Sequence, residues 1–384
     1  MAALLAAGCG RASVPVPAET RAPQADVRGS LEARGEAIFR REQCGRCHTV
    51  FDVPAERGPS PPPAARRPAP FDSRVGPDLG LEGHRRSDDW HAAHLYAPDI
   101  LVPGTRMPAS RHLFLPGSAL PPRLDEDGRA LVAWLQGLGR GRRDIHAEFR
   151  SAEPAIPEPE DVPRPARLEQ GRALYATWCV PCHGEAGNGA GPAAALLERP
   201  ARDLTRGLVL FRSKPLAEPA DDADLYRMLT LGTGTGAAMP SFAFLEAGER
   251  WSLVQFVKEL APATRGAGLR VGAGETAAPV ARAGKAAVAE GARLYAAWGC
   301  AACHGETGGE ETVVRASDLR HACRRRGGAS PAAFERALRY GVGATMPSFA
   351  EVLDREPGGA QAILAWLESA DAATSRAPAT SDRP

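Results

Sequence analysis

The apolar positions of this chain follow a pattern that is written three times. LVAWL at 131–135, LVQFV at 253–257 and ILAWL at 363–367 each place apolar residues at i, i+1, i+3 and i+4. That spacing is the wide stripe of a helix buried along one side. Upstream of each stripe a second helical stretch opens on glycine and closes on an aromatic: GEAIF at 35–39, GRALY at 171–175 and GARLY at 291–295. Between the two helices a Met-Pro pair recurs, Met107-Pro108, Met239-Pro240 and Met346-Pro347. Parts that recur together in one order mark a repeated structural unit. The pattern predicts an all-α chain of three tandem small domains, at 30–147, 165–262 and 284–371.

The segments between and around these units are rich in Pro, Ala and Gly: SPPPAARRPAP at 60–70, EPAIPEPEDVPRP at 153–165, and the stretch 263–283. Such segments bury too little apolar surface to offset the entropy of ordering them. Residues 148–164 and 263–283 read as linkers, 372–384 as a disordered tail, and 60–70 as an insertion within the first unit. Hydrophobic residues make up 43% of the 384, but many are alanine, so the cores are small and several. A formal net charge of +1 argues against a nucleic-acid binder, which carries a basic stripe. No run approaches the roughly 20 apolar residues that span a bilayer.

The eight cysteines carry the chemistry. Six fall in three C-x-x-C-H runs, Cys44/Cys47/His48, Cys179/Cys182/His183 and Cys300/Cys303/His304, each four or five residues beyond the aromatic of the first helix. A lone run of this kind arises by chance on the order of once per 10⁵ positions at ordinary residue usage. The spacing is that of c-type haem attachment. The competing readings are disulfides, a zinc site built from two close Cys pairs, and a redox dithiol, which needs a βαβ context that the pattern lacks. Cys9 follows LLAAG at 4–8, which reads as a lipoprotein export signal with Cys9 as the lipid-bearing residue. Ala6 stands where that signal has Leu, and no positive segment precedes it, so a plain cleaved signal or a misassigned start is the alternative. Cys323 reads as a free buried thiol, and the three arginines that follow it as a solvated face.

With these motifs the chain resembles the class I cytochrome c family over about residues 30–140, 165–262 and 284–370. The resemblance implies small all-α domains whose first and last helices cross around a haem. In each, two thioethers form from the cysteines, the histidine is the proximal iron ligand, and Met107, Met239 or Met346 is the distal one. The metal ligands are then His48 and Met107, His183 and Met239, His304 and Met346, for three covalently bound haem c. A Met sixth ligand closes the iron to substrates and raises its potential. Core packing is the alternative reading of a methionine, and it is the one assigned to Met228, which lacks the following Pro. A Gly-Pro turn supplies the carbonyl that orients the proximal imidazole in this family. Gly76-Pro77 and Gly191-Pro192 fit that role in the first two units, whereas the third reads GGEETVVRASDL and must use another carbonyl.

The first unit offers rivals to Met107 in His84, His91, His94 and His112. Its run SDDWHAAHL at 87–95, followed by VPGTRMP at 102–108, resembles the mono-haem subunit of cbb-type haem–copper oxidases, which uses the methionine. His91 and His94 are three apart on a predicted helix; they face the haem edge, or are surface or propionate-contacting residues. Units two and three resemble small cytochrome c domains of di-haem oxidase subunits and of electron-accepting subunits of molybdenum enzymes. The resemblance implies an electron carrier rather than an enzyme, with no small-molecule substrate. It would relay electrons between redox partner proteins of a respiratory chain, in the bacterial periplasm, held to the membrane by lipid on Cys9. The alternatives are a multi-haem peroxidase-like enzyme and a cytochrome subunit of a haem–copper or molybdenum oxidoreductase complex.

Overall fold

The computed structural model describes residues 24–50, 76–80, 82–83, 86–138, 156–207, 209–233, 239–269, 285–309, 319–320, 330–343 and 345–374. Cys9, His84 and Cys323 lie outside the described residues, as do 60–70, 148–155, 270–283 and 375–384. Among the described residues all regular structure is helical, apart from two isolated bridges, Phe114 with Leu124 and Val342 with Met346.

Unit one comprises α1 (Gln24–Arg41), α2 (Asp88–Tyr96), α3 (Pro98–Leu101) and α4 (Glu126–Gly137). Unit two has α5 (Arg164–Trp178), α6 (Val180–His183), α7 (Asp222–Leu231) and α8 (Ala247–Leu260). Unit three has α9 (Lys285–Ala297), α10 (Ala301–His304), α11 (Pro331–Tyr340), α12 (Ala350–Arg355) and α13 (Gly359–Thr374). The starts are written in the sequence. Ser87, Asp125 and Ser330 accept hydrogen bonds from the backbone N–H three residues on, of Trp90, Gly128 and Ala333, satisfying first-turn donors. Glu246 and Glu249 close a reciprocal capping box at α8.

In each unit the first and last helices pack together: α1 on α4, α5 on α8, α9 on α13. The repeated glycine is their point of contact. A β-carbon at Gly35 would lie 2.1 Å from the Ala130 carbonyl oxygen, at Gly171 2.1 Å from that of Ser252, and at Gly291 2.0 Å from that of Ala362. No side chain fits there, so only glycine lets the helices come this close. The repeated aromatic, one turn on, rests on a ring of the last helix: Phe39 on Trp134 at 4.7 Å between centroids, Tyr175 on Phe256 at 5.1 Å, Tyr295 on Trp366 at 4.6 Å. The stripe residues Leu131, Leu135, Leu253, Ile363, Leu364 and Leu367 are buried in the three separate cores.

The linker expectation needs correcting at both ends of unit two. Residues 156–163, within the Pro-rich stretch, are fastened down. The Trp251 indole donates to the Pro157 carbonyl at 3.0 Å, the Arg167 guanidinium donates to the Glu160 carbonyl, and Ile156 packs on the core. Residues 263–269 fold back on α8, where Gln255 and Lys258 donate to the carbonyls of Ala267 and Gly268 at 3.0 and 2.7 Å. Buried donors on α8 need acceptors, and proline- and glycine-rich backbone offers carbonyls without side chains in the way. Lys258 also pairs with Asp222 of α7 at 2.8 Å, both side chains only 6% exposed.

The crossing makes a prediction. Gly171→Ala would gain about 1 kcal/mol of helix propensity in an isolated helix, but here it drives a methyl into the Ser252 carbonyl. The expected net effect is a loss of about 1–3 kcal/mol, measured by denaturant unfolding. A more stable variant would mean that the helices do not cross at that residue.

Candidate functional site

The C-x-x-C-H run follows the first helix at once, so the crossing positions it. Its backbone closes the same helical turn three times: the histidine N–H donates to the first cysteine's carbonyl at 2.9 Å for His48, 2.7 Å for His183 and 3.0 Å for His304. One helical turn brings residues i, i+3 and i+4 to one face, which gathers both sulfurs and the imidazole. In units two and three a glycine follows the histidine with a left-handed backbone, φ 75° at Gly184 and 73° at Gly305. The Tyr175 and Tyr295 hydroxyls donate to these two carbonyls at 2.9 and 2.8 Å. Unit one has Phe39 and Thr49 at the two positions, so neither the hydroxyl nor the glycine is there, and the Thr49 carbonyl instead accepts from the Leu79 N–H at 2.8 Å.

The imidazoles are held by their far nitrogen. His48 Nδ1 lies 2.9 Å from the Pro77 carbonyl oxygen, which can only accept, so Nδ1 carries the proton and Nε2 keeps the lone pair a metal needs. Gly76 permits this: a β-carbon there would come within 2.5 Å of the His48 ring. In unit two the expectation fails in detail. His183 Nδ1 donates at 2.9 Å to Arg202, not to Pro192. Gly191 does bond back to the turn, its N–H donating to the Cys182 carbonyl at 3.2 Å. The chain then coils, with Ala193 N–H donating to Pro181 and Ala194 N–H to Gly191. That leaves the ring to the later segment, which the Leu204 N–H anchors on the Gly187 carbonyl at 2.7 Å. Burial lowers the His183 pKa, against the opposing pull of the Arg202 carbonyl. For unit three, residues 310–318 are outside the described residues, and with them most of the segment expected to supply the carbonyl.

Among the described residues no disulfide joins the six motif cysteines. Burial raises the pKa of Cys44, and pushes Cys179 up to about 12 and Cys300 up to about 11. A reactive thiolate needs the opposite environment. The three pairs stand in three separate units, and among the described residues no three His, Cys, Asp or Glu side chains converge as a metal site.

The methionines return to the same cores as the cysteines. Cys44 and Met107 both pack against the core of unit one, Cys179 and Met239 belong to that of unit two, and Cys300 and Met346 pack against that of unit three. The return is built alike in the last two units. Gly232 and Gly341 end α7 and α11 with φ 69° and 74°. Ser241 and Ser348 then donate to the carbonyls of Thr230 and Arg339, and the Phe242 and Phe349 N–H groups donate to Leu229 and Leu338 at 2.8 Å each. The hydroxyl directly after Met-Pro is a signal the pattern reading passed over; it fixes the methionine to the helix end by satisfying orphan carbonyls. Met228 is half-buried at the surface of α7 that meets unit three.

Of the rival histidines, His112 is turned to the surface, where Nε2 lies 2.8 Å from Glu42. His91 is buried and His94 half-buried. His94 stacks on Trp90 at 4.7 Å, and Arg86 covers that indole at 3.9 Å. His91 Nε2 and His94 Nδ1 are enclosed without a hydrogen-bond partner, as is the Tyr226 hydroxyl in unit two. Orphan polar atoms beside a His-ended turn, a soft sulfur and a pair of thiols suit a large apolar ring with polar edges, so the residues present fit a covalently held haem.

Comparisons with known proteins agree. Residues 166–257 and 286–367 match the family model of cytochrome C oxidase, cbb3-type, subunit III, and residues 66–120 match that of cytochrome C oxidase, mono-heme subunit/FixO. No curated relative matches the chain. A solved chain from a reducing HAO-like protein complex of Kuenenia stuttgartiensis is similar over 56% of this chain and 99% of its own, at 22% identity and a TM-score of 0.47.

The buried imidazoles predict an acid sensitivity. Burial first, and Arg86 and His94 after it, lower the His91 pKa from 6.5 to about 3. Between those values the unfolded chain binds a proton that the folded one refuses. The stability this residue supports is therefore complete above pH 6.5 and falls as the pH drops toward 3, by on the order of a few kcal/mol. Denaturant midpoints of unit one measured across that range should show the slope, and His91→Phe should reduce it, leaving the part from His94, whose pKa burial lowers to about 4. An unchanged slope would mean that His91 is not held neutral.

Proposed function

We propose that this chain, a c-type cytochrome with covalently bound haem c, carries three haems, one per unit, and relays electrons between a respiratory donor and a terminal oxidase or reductase. One arrangement supports the reading: in every unit the attachment cysteine and the Met of Met-Pro pack against the core made where the first and last helices cross. Cys44 and Cys47, Cys179 and Cys182, and Cys300 and Cys303 would hold the macrocycles through thioethers. His48, His183 and His304 would offer Nε2, and Met107, Met239 and Met346 a thioether sulfur. Bound haem supplies a one-electron iron couple. The protein's part would be to hold the histidine and methionine side chains in place in advance, so that little moves when the charge changes, and to keep water away from the bound group. A methionine sulfur, being soft, favours the ferrous state.

Attachment of this kind belongs outside the cytoplasm in bacteria, and we place the protein on the periplasmic face. No helix of the described residues is long and apolar enough to cross a membrane, so Cys9 lipidation or a membrane-bound partner would hold it there. The match of unit one to the mono-heme subunit/FixO model supports work within a respiratory complex of several proteins.

Intact mass spectrometry of the protein matured with its own biogenesis machinery should give three porphyrin adducts. Met239→His should then lower one of three midpoint potentials by on the order of 0.1 V, leaving the other two in place. Fewer adducts, or a titration that ignores the substitution, would sink the assignment.

A further inference from the structure

Two places where one unit touches the next fall on the segments assigned to haem binding. The first involves α2. Its Ala92 and Leu95 enter the core of unit one, together with Cys44 and Met107. Its neighbours Ala93 and Ala97, 0% and 2% exposed, turn the other way and close on Leu196 and Leu197 of unit two, themselves only 5% and 4% exposed. Tyr96, Ile100, Leu101 and Cys182 pack around this cluster, and α3 lies against α6. Cys182 is the second sulfur of the motif in unit two. Asp89 at the start of α2 is near enough to raise its thiol pKa, after burial, which is the larger cause. A helix at the edge of a small domain is normally apolar on one side; α2 is apolar on two, and its contact positions are alanines, which hold neighbouring backbones close.

The second contact joins the other side of unit two to the methionine turn of unit three. Arg202, whose carbonyl accepts the His183 proton at 2.9 Å, starts a segment that runs to Leu210. The Leu210 carbonyl accepts from the Gly343 N–H at 3.1 Å. A β-carbon on Gly343 would lie 3.2 Å from Leu210 Cδ1 and 3.8 Å from the Arg202 guanidinium. Gly343 sits, at φ 59°, inside the turn that Val342 and Met346 close with two mutual backbone bonds of 3.1 and 3.3 Å. Leu210 and the Arg202 side chain thus both meet the turn that Val342 and Met346 close.

We infer that electrons pass between units through these two contacts, and that unit two is the middle of the relay. Its Cys182 edge exchanges with unit one across α2 and α3, and its His183 side exchanges with unit three across Leu210 and Gly343. At each crossing one electron leaves a ferrous haem c and reduces a ferric one; no bond forms or breaks and no proton moves. This rests on the three-haem reading, and deepens it by giving the order.

The test uses the full-length holoprotein with its haem count verified by mass. Ala97→Trp should part α2 and α3 from α6 toward the wide end of the roughly 8–10 Å that contact side chains set between helices, and slow electron redistribution between units one and two about tenfold after photoreduction. Leu210→Trp should slow exchange between units two and three and leave the first crossing alone. Both variants should keep three intact haem spectra. If a wedge unfolds its unit, amide exchange of the unmodified holoprotein decides: Gly343 N–H should exchange slowly, as a donor to the Leu210 carbonyl. Unchanged redistribution with three haems present, or a freely exchanging Gly343 amide, overturns the order of the relay. A haem count below three overturns the reading beneath it instead.

Discussion

At Gly35, Gly171 and Gly291 a helix lies so close to its partner that a carbonyl oxygen occupies the space a β-carbon would need. Close-packed interiors tolerate no such overlap, so the residue, the register of both helices and their angle are settled together. The aromatic one turn later comes to rest on a ring of the partner helix, and the C-x-x-C-H turn begins within five residues of that aromatic. The histidine therefore inherits its position from a glycine some thirteen residues earlier. Units two and three add a second tie, the tyrosine hydroxyl on the glycine carbonyl after the histidine. Unit one, with Phe39, ties the 76–80 segment to Thr49 instead, through the Leu79 N–H and an Asp78 side chain that accepts from the Thr49 hydroxyl.

Much of this was legible in the sequence, because the constraints are short-range and repeat. Glycine, aromatic, C-x-x-C-H, Met-Pro and the apolar stripe each report a local requirement, and three copies separate requirement from accident. The carbonyl that orients His183 was not legible. Gly191-Pro192 satisfies the local pattern, but which carbonyl reaches the ring depends on how the next ten residues coil, and Arg202 wins only because Leu204 is anchored on Gly187. The burial of His91 and His94 was half legible: their spacing put both on one helix, while their lack of partners depends on Trp90 and Arg86 closing over them.

Composition misled at the borders of unit two for a related reason. A stretch rich in proline reads as linker because it buries little of its own. It can still serve as a row of acceptors for donors buried elsewhere, as Pro157 does for Trp251 and Gly268 for Lys258. Removing one partner of the Lys258–Asp222 pair would strand a buried charge, which is costly, so the fold keeps the surrounding carbonyls in place. The ordering of 156–163 and 263–269 thus follows from groups on α8, not from the segments themselves.

The same limit applies to α2. Pattern reading looks for one apolar face per helix, and a helix that serves two units has two, so SDDWHAAHLYAPDIL carries only a weak periodic signal. What distinguishes its second face is size: Ala93 and Ala97 are the smallest side chains that still exclude water. A large residue there would strengthen burial while pushing the neighbouring unit away. The choice of alanine trades hydrophobic area for distance, the quantity on which the proposed transfer between units would depend most. Under that proposal small residues at a unit boundary carry function, even though in an ordinary core they would read as weak packing.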